Sequence, residues 1–273
     1  MQRRRGLVVP VIIAAIVGSA AALVPAGPSS RAAAAHQPPL GAHGSASPAA
    51  ARPFRVDLAD RNDFVAQTNF VQCVGASMQM MLNVMGASDR TARTQARLQV
   101  LARSLSGPTR EGFQRHGASV RGWTAGLNQL GAGPYRMVGA SSLEEALQLA
   151  ARAIRTTGRP VGLLVWAGRH AWVMSGFEAT ADPATTANFR VTRAIVLDPL
   201  YPYGSGRWGA SPAPRQAITP ATLGKQFVPR RKGTWAGALP GGAGGSLSAL
   251  AGKWVIVMPY RLVPIARHAL LPS

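Results

Sequence analysis

The sequence predicts an α+β domain in which helices come first and an antiparallel sheet follows. Between residues 73 and 158, apolar side chains recur at the spacing of helix faces. After Pro160, three apolar runs, and a fourth near the C-terminus, have the length and composition of strands. Because runs of helices followed by runs of strands are typical of α+β proteins, we expect a helical lobe packed on a sheet.

Four helices are predicted, and the last has the clearest signals. Gly86 and Gly158 follow apolar-periodic segments and are suited to end helices. Ser141 and Ser142 each precede a glutamate by three residues, which is the spacing of a capping box. The predicted helices lie at residues 73–85, 89–105, 119–131 and 141–158.

The predicted strands include one central strand. The segment VGLLVWAG after Pro160 is almost continuously apolar, as in a strand that is buried on both faces. A short strand, YRMVG, precedes the fourth helix. The remaining strands are expected at residues 170–179, 189–198 and 253–262, and no regular element is predicted between 199 and 250.

The N-terminal part of the chain has the pattern of an export segment. MQRRR is followed by an uncharged apolar run, so residues 1–26 are predicted to be a signal peptide or an N-terminal membrane anchor. Residues 27–53, rich in Ala, Pro and Ser, are predicted to form a flexible linker. The folded domain then covers 54–273, outside the cytoplasm, either secreted or anchored to the membrane.

The formal charge of +20 permits binding to a polyanion, but the pattern of residues favours another interpretation. Only three residues are lysine, and the arginines are scattered rather than clustered with aromatic residues. We therefore predict a solvated basic surface and no nucleic-acid partner. No ligand cluster for a metal and no glycine-rich phosphate loop occurs, so no cofactor is predicted.

Cys73, the one cysteine of the chain, is predicted at the start of a helix. The helix dipole and the unpaired N–H groups there stabilise a thiolate, which is the nucleophilic form. His170 at the start of a strand is the candidate base. If residues 170–178 and 189–198 form a hairpin, Asp198 returns beside His170 and can orient the imidazole. Gln67, six residues before Cys73, is the candidate oxyanion donor.

These segments resemble the papain-like cysteine peptidases of the C39-like group. The resemblance rests on QTNFVQCVGASMQMMLNVMG, GRPVGLLVWAGRHAWVMSGFEA and VLDPLYP, and with the helices between them it spans residues 64 to 202. It implies a papain-like fold with Cys73 as nucleophile, His170 as base, Asp198 as orienter and Gln67 as oxyanion donor. The sequence differs from that group in having Val74-Gly75 where Gly-Pro is common, and RHAW in place of Gly-His.

Two functions follow from these residues. The first is an exported thiol hydrolase that cleaves peptide bonds, or amide bonds of cell-wall peptides, through an acyl-enzyme on Cys73; acyl transfer would use the same residues. The alternative is a catalytically silent, membrane-tethered binding module with a papain-like fold. In that case a recognition surface is expected from the tryptophans, namely Trp123, Trp166, Trp172, Trp208 and Trp235.

Overall fold

The computed structural model describes residues 53–106, 117–231 and 247–261. The helices are α1 (Cys73–Val84), α2 (Ala92–Ser104), α3 (Val120–Gln129), α4 (Leu143–Thr157) and the short α5 (Pro220–Leu223). The strands are β1 (Phe54–Asp57), β2 (Tyr135–Ala140), β3 (Val161–Val165), β4 (His170–Ala179), β5 (Val191–Leu197), β6 (Gly204–Ser205), β7 (Gly209–Ala210), β8 (Gln216–Ile218) and β9 (Trp254–Pro259).

The main sheet has seven strands, and all of its pairings are antiparallel. Its order is β2-β9-β3-β4-β5-β8, and β1 pairs with the second half of β4. The apolar strand β3 lies between β9 and β4 and is buried along its whole length. The predicted central strand and the mixed α and β architecture are therefore confirmed.

The helices cover both faces of this sheet rather than forming one lobe as the sequence predicted. Leu163 and Val165 of β3 pack in the cluster that contains Leu147 of α4. Leu164, whose side chain points the opposite way, packs in the cluster that contains Met78 of α1. The helices α1, α2 and α3 thus share one face, and α4 lies on the other. The sequence shows that a helix is amphipathic but not which face of a sheet it covers.

Helix α1 is buried on almost every side. Its residues from Cys73 to Met81 are all buried, because the helix lies between β4 and the helices α2 and α3. Gly75 permits the close approach of α2: a Cβ atom there would lie 2.7 Å from the backbone oxygen of Gln95. Ser77 on the sheet side donates a hydrogen bond to the carbonyl of Ala171 in β4, at 3.1 Å. These contacts hold the start of α1 against the sheet.

Helix α4 begins and ends with the signals that the sequence predicts. Ser142 is the N-cap, and its hydroxyl accepts the Glu145 N–H at 3.0 Å. The Glu145 carboxylate accepts the N–H of Ser141 at 2.6 Å instead of that of the N-cap Ser142, so the second of the two predicted capping boxes forms in part. Gly158 ends the helix with φ +65°, a conformation that favours glycine.

Several elements were not predicted. Strand β1 has four residues, and β8 and the β6–β7 pair fall in the segment after Pro199 that shows no periodicity. Short strands carry little sequence signal because their partners are distant: Phe54 of β1 pairs with Ala179 of β4. Residues 1–52 lie outside the described residues, so the predicted export segment and nearly all of the predicted linker do as well. Within the described ranges, no helix has the length and apolarity needed to cross a membrane.

Candidate active site

Cys73 is the first residue of α1, as its sequence context predicts. One amide of this first turn is already satisfied, because Gly75 N–H donates to the side chain of Gln99 at 2.9 Å. The N–H of Cys73 itself donates to no residue in the described part of the chain. Cys73 is buried, with 9% of its surface exposed. A thiol in this place adjoins a helix N-terminus and an amide that is available to a ligand.

His170 and Asp198 form a buried pair at the ends of adjacent strands. Strands β4 and β5 are antiparallel, and Val173 lies opposite Leu197, so the start of β4 adjoins the end of β5. The His170 Nε2 atom lies 2.7 Å from Asp198 Oδ1. The hairpin and the approach of the two side chains are the geometry that the sequence predicts. Because a carboxylate accepts, Nε2 is the nitrogen that carries hydrogen, and Nδ1 is left to face another group.

The Asp198 carboxylate is fully buried and has a second donor. The backbone N–H of Leu200 donates to the same oxygen, Oδ1, at 2.9 Å. The other oxygen, Oδ2, has no hydrogen-bond partner among the described residues. A buried carboxylate with so few donors interacts strongly with the imidazole beside it. Asp198 is therefore placed both to orient the His170 ring and to favour its protonated form.

The thiol of Cys73 lies close enough to His170 to affect the pKa of its imidazole. Burial has the largest single effect on the imidazole and lowers its pKa. The hydrogen bonds to Asp198 and Cys73 and the charges of the same two groups act the other way. Together they raise the pKa of His170 from 6.5 to about 9. The ring is then protonated at neutral pH, with Asp198 on one side and the thiol on the other.

Gln67 lies in the loop before α1, beside the segment that follows Asp198. Its backbone N–H donates to the carbonyl of Pro199 at 2.7 Å. Its side-chain Nε2 donates to the carbonyl of Asn69 at 2.8 Å, and Oε1 is buried without a partner in the described ranges. One N–H of the amide is thus engaged within the loop and the second remains for a ligand. The role of oxyanion donor stays a prediction.

Comparisons with known protein families, with curated proteins and with solved structures find no match to this chain. The chemistry of the site must therefore be inferred from its own residues. In the described ranges, no group of three or more His, Cys, Asp or Glu residues could hold a metal ion. The groups brought together are a thiol, an imidazole and a carboxylate, which is the composition of a nucleophile, a base and an orienter.

Sequence reasoning did not identify the residue that packs on the imidazole. The indole of Trp166 stacks on the His170 ring with centroids 4.2 Å apart and an interplanar angle of 25°. Trp166 lies in the turn between β3 and β4, and its Nε1 donates to Gln226 Oε1 at 2.9 Å. The one sequence signal for this contact is the position of Trp166, four residues before the candidate histidine, but that spacing alone does not predict that the rings stack. Gln226 lies 60 residues further on and has no local signal.

The recognition surface of tryptophans expected for a binding module does not form as predicted. Trp123 and Trp172 are fully buried in the two hydrophobic clusters on opposite faces of the sheet. Trp166 packs on His170, and Trp235 lies outside the described residues. Indole rings fill volume in a core more often than they line a surface, and sequence alone does not separate the two uses.

Proposed function

We propose that this protein is a thiol hydrolase that cleaves amide bonds, in the manner of the papain-like cysteine peptidases. The observation that carries the proposal is the buried array in which Asp198 lies 2.7 Å from one nitrogen of His170 and Cys73 lies close enough to raise the pKa of the same ring. All three groups come from rigid elements, since Cys73 begins α1, His170 begins β4 and Asp198 follows β5. Rigid placement lowers the entropy lost when the reacting groups are brought together.

The reaction begins with the thiolate of Cys73 and the imidazolium of His170. Sulfur attacks the substrate carbonyl carbon, a C–S bond forms, and the carbonyl electron pair moves to oxygen. His170 gives its Nδ1 proton to the leaving nitrogen as the C–N bond breaks, which leaves a thioester. Water then attacks the thioester and passes a proton to His170, the C–S bond breaks, and thiolate and imidazolium are restored.

The free amide of Cys73 is suited to the oxyanion of the tetrahedral intermediate. Negative charge develops on the substrate oxygen next to the attacking sulfur, where the first turn of α1 presents the Cys73 N–H. The second N–H of Gln67 is the proposed partner donor. Two features support a papain-like fold for this domain. The nucleophile begins a helix and the base begins an antiparallel strand, and the residues follow the chain order Gln, Cys, His, Asp.

Exposed apolar side chains on two loops next to the site suggest the substrate class. Phe70, three residues before Cys73, is 86% exposed, and Tyr203 in the segment after Asp198 is 71% exposed. The two loops are joined by the bond from the Gln67 N–H to the Pro199 carbonyl. Contiguous exposed apolar side chains mark ligand-binding grooves, and we infer that these two residues form such a surface beside the site. We therefore propose peptide substrates with apolar side chains next to the bond that is cleaved.

The proposal is tested by following alkylation of Cys73 with iodoacetamide from pH 4 to pH 10 in the reduced full chain. At pH 6 we expect the wild-type protein to react at least about tenfold faster than His170→Ala, because the imidazolium stabilises the thiolate. Peptides and cell-wall fragments are then screened for turnover, and the acyl-enzyme is sought by mass spectrometry as an adduct on Cys73. Cys73→Ala should keep the far-UV circular dichroism spectrum and lose all turnover.

Two outcomes decide between the functions. Turnover that survives in Cys73→Ala rules out the thiol mechanism. Alkylation that is equally slow in the wild-type protein and in His170→Ala shows that the pair is not assembled, and the silent binding module then becomes the better account. Asp182→Asn is a matched control, since Asp182 also pairs with a cation, Arg155, but on the surface and away from His170.

A further inference from the structure

We propose that Trp166 is a positioning residue for His170, held against the imidazole by Gln226. The inference deepens the proposed function, because it concerns the base of the same site. It rests on three observations: the ring stack, a strained turn, and the bonds by which a distant segment holds that turn.

The stack is face to face and close. Ring centroids are 4.2 Å apart and the planes are inclined by 25°, so one face of the imidazole is covered by the indole. One ring nitrogen, Nε2, contacts Asp198, and Cys73 lies close enough to raise the pKa of the ring. An indole face attracts a cation, so the stack favours the imidazolium over the neutral ring. It also restricts tilting of the ring away from the Asp198 carboxylate that its Nε2 contacts.

The backbone that carries the indole is strained. Trp166 and Ala167 both have φ +56°, and Gly168 follows with φ +97°. Only the last of the three residues is a glycine, so the first two occupy the left-handed region against their preference. Such strain persists where surrounding contacts enforce it, and it is enriched at functional sites. Here the strained conformation is the one that directs the Trp166 side chain onto His170.

The enforcing contacts come from residues 226–231, far along the chain. The Trp166 N–H donates to the Gln226 carbonyl at 2.8 Å, and the indole Nε1 donates to the side-chain oxygen of the same residue at 2.9 Å. The Gln226 amide is fixed in turn, because its Nε2 donates to Ala210 at 3.0 Å. The side chain of Arg230 packs against Gly168 and closes the turn from the same side. Gln226 is 8% exposed, so these bonds are largely shielded from water.

Three variants, made in the full chain, separate the effect of the ring stack from the effect of the bonds to Gln226. Trp166→Ala removes the stack, Trp166→Phe keeps an aromatic face but loses the bond to Gln226, and Gln226→Ala loses the side-chain bonds only. Trp208→Phe is the matched control, since Trp208 is a partly buried tryptophan that packs with Arg207 instead of His170. Circular dichroism and the melting temperature establish which variants fold.

The first readout is the titration of the His170 ring by NMR. In Trp166→Ala we expect the pKa of His170 to differ from the wild-type value by about 1, because loss of the indole face lowers the pKa while solvent admitted to the ring raises it; the change should be smaller in Trp166→Phe and Gln226→Ala. The rate of Cys73 alkylation at pH 7 should fall by about three- to tenfold in Trp166→Ala. A tryptophan that only fills space would change stability but neither of these quantities.

The second readout is tryptophan fluorescence, because an imidazolium in contact with an indole quenches its emission. Emission of the wild-type protein should rise with pH at the same midpoint as the NMR titration of His170. The step should be absent in Trp166→Phe and retained in Trp208→Phe. The inference is overturned if His170 titrates at the same pH in the wild-type protein and in every folded variant. If Trp166→Ala does not fold, the result for Trp166→Phe decides. Neither readout needs turnover, so a failure to find any substrate would count against the proposed function alone.

Discussion

We expect Asp198 to control how stability depends on pH, through its hydrogen bond to His170 and its charge, and Asp198→Asn tests this directly. The change keeps the shape of the side chain and removes its charge beside His170, 2.7 Å away. It is made in a Cys73→Ser background, which removes the contribution of the thiol to the pKa of His170. Burial, which lowers the pKa of His170, then acts with little opposition.

The magnitude follows from the pKa of His170, which rises from 6.5 to about 9 on folding. A raised pKa means that the folded protein binds this proton more tightly than the unfolded chain does. The group therefore adds stability below pH 6.5, and that stability is lost as the pH rises through 9. At about 1.4 kcal/mol per tenfold change in affinity, the contribution is at most about 3.5 kcal/mol. Because Cys73 supplies part of it, we expect about 1 to 3 kcal/mol in the Cys73→Ser background.

The assay is unfolding by urea at pH 6 and at pH 9.5, in the presence and absence of the Asp198→Asn change. The loss of stability between the two pH values should be larger by about 1 to 3 kcal/mol when Asp198 is present. Asp182→Asn should leave this difference unchanged, since the ion pair of Asp182 with Arg155 is exposed and contains no histidine. Equal pH dependence with and without the Asp198 charge would refute the assignment of the raised pKa to this pair.

Three further predictions concern catalysis and packing. Turnover at low substrate concentration should decline as the pH rises through about 9, because His170 then lacks the proton for the leaving nitrogen. A plateau of kcat/KM up to pH 10.5 would contradict this. Gln67→Ala should lower kcat about 100-fold with little change in KM if its amide holds the oxyanion, and an unchanged kcat would remove it from the site. Gly122→Ala should destabilise the protein by at least about 2 kcal/mol, because its Cβ would lie 1.9 Å from the carbonyl oxygen of Ala102. Gly206→Ala is the control, because Gly206 lies in open space, and it should change stability by less than about 0.5 kcal/mol. Similar urea midpoints for Gly122→Ala and Gly206→Ala would contradict the prediction and show that α2 and α3 separate easily.

The elements with strong local signals were predictable from the sequence. Helix α4 begins at Ser142 and ends at Gly158 because capping and the left-handed conformation depend on residues within one turn. The strand that begins at His170 was predicted with its observed bounds, since ten residues suited to a strand follow a turn that contains glycine. The approach of Asp198 to His170 was also predictable, because adjacent antiparallel strands bring the start of one beside the end of the next.

The sequence by itself determined the thiol, the imidazole and the carboxylate, together with the helix start and the hairpin that position them. Only the tertiary structure decided that α4 covers the opposite face of the sheet from α1, and that Trp166 packs on the imidazole. The reason is physical. Caps, turns and hairpins are set by interactions between near neighbours in the chain. The sheet face that a helix covers depends instead on how distant surfaces fit together once the core has packed. The same holds for the bond from Trp166 to Gln226, which lies 60 residues away.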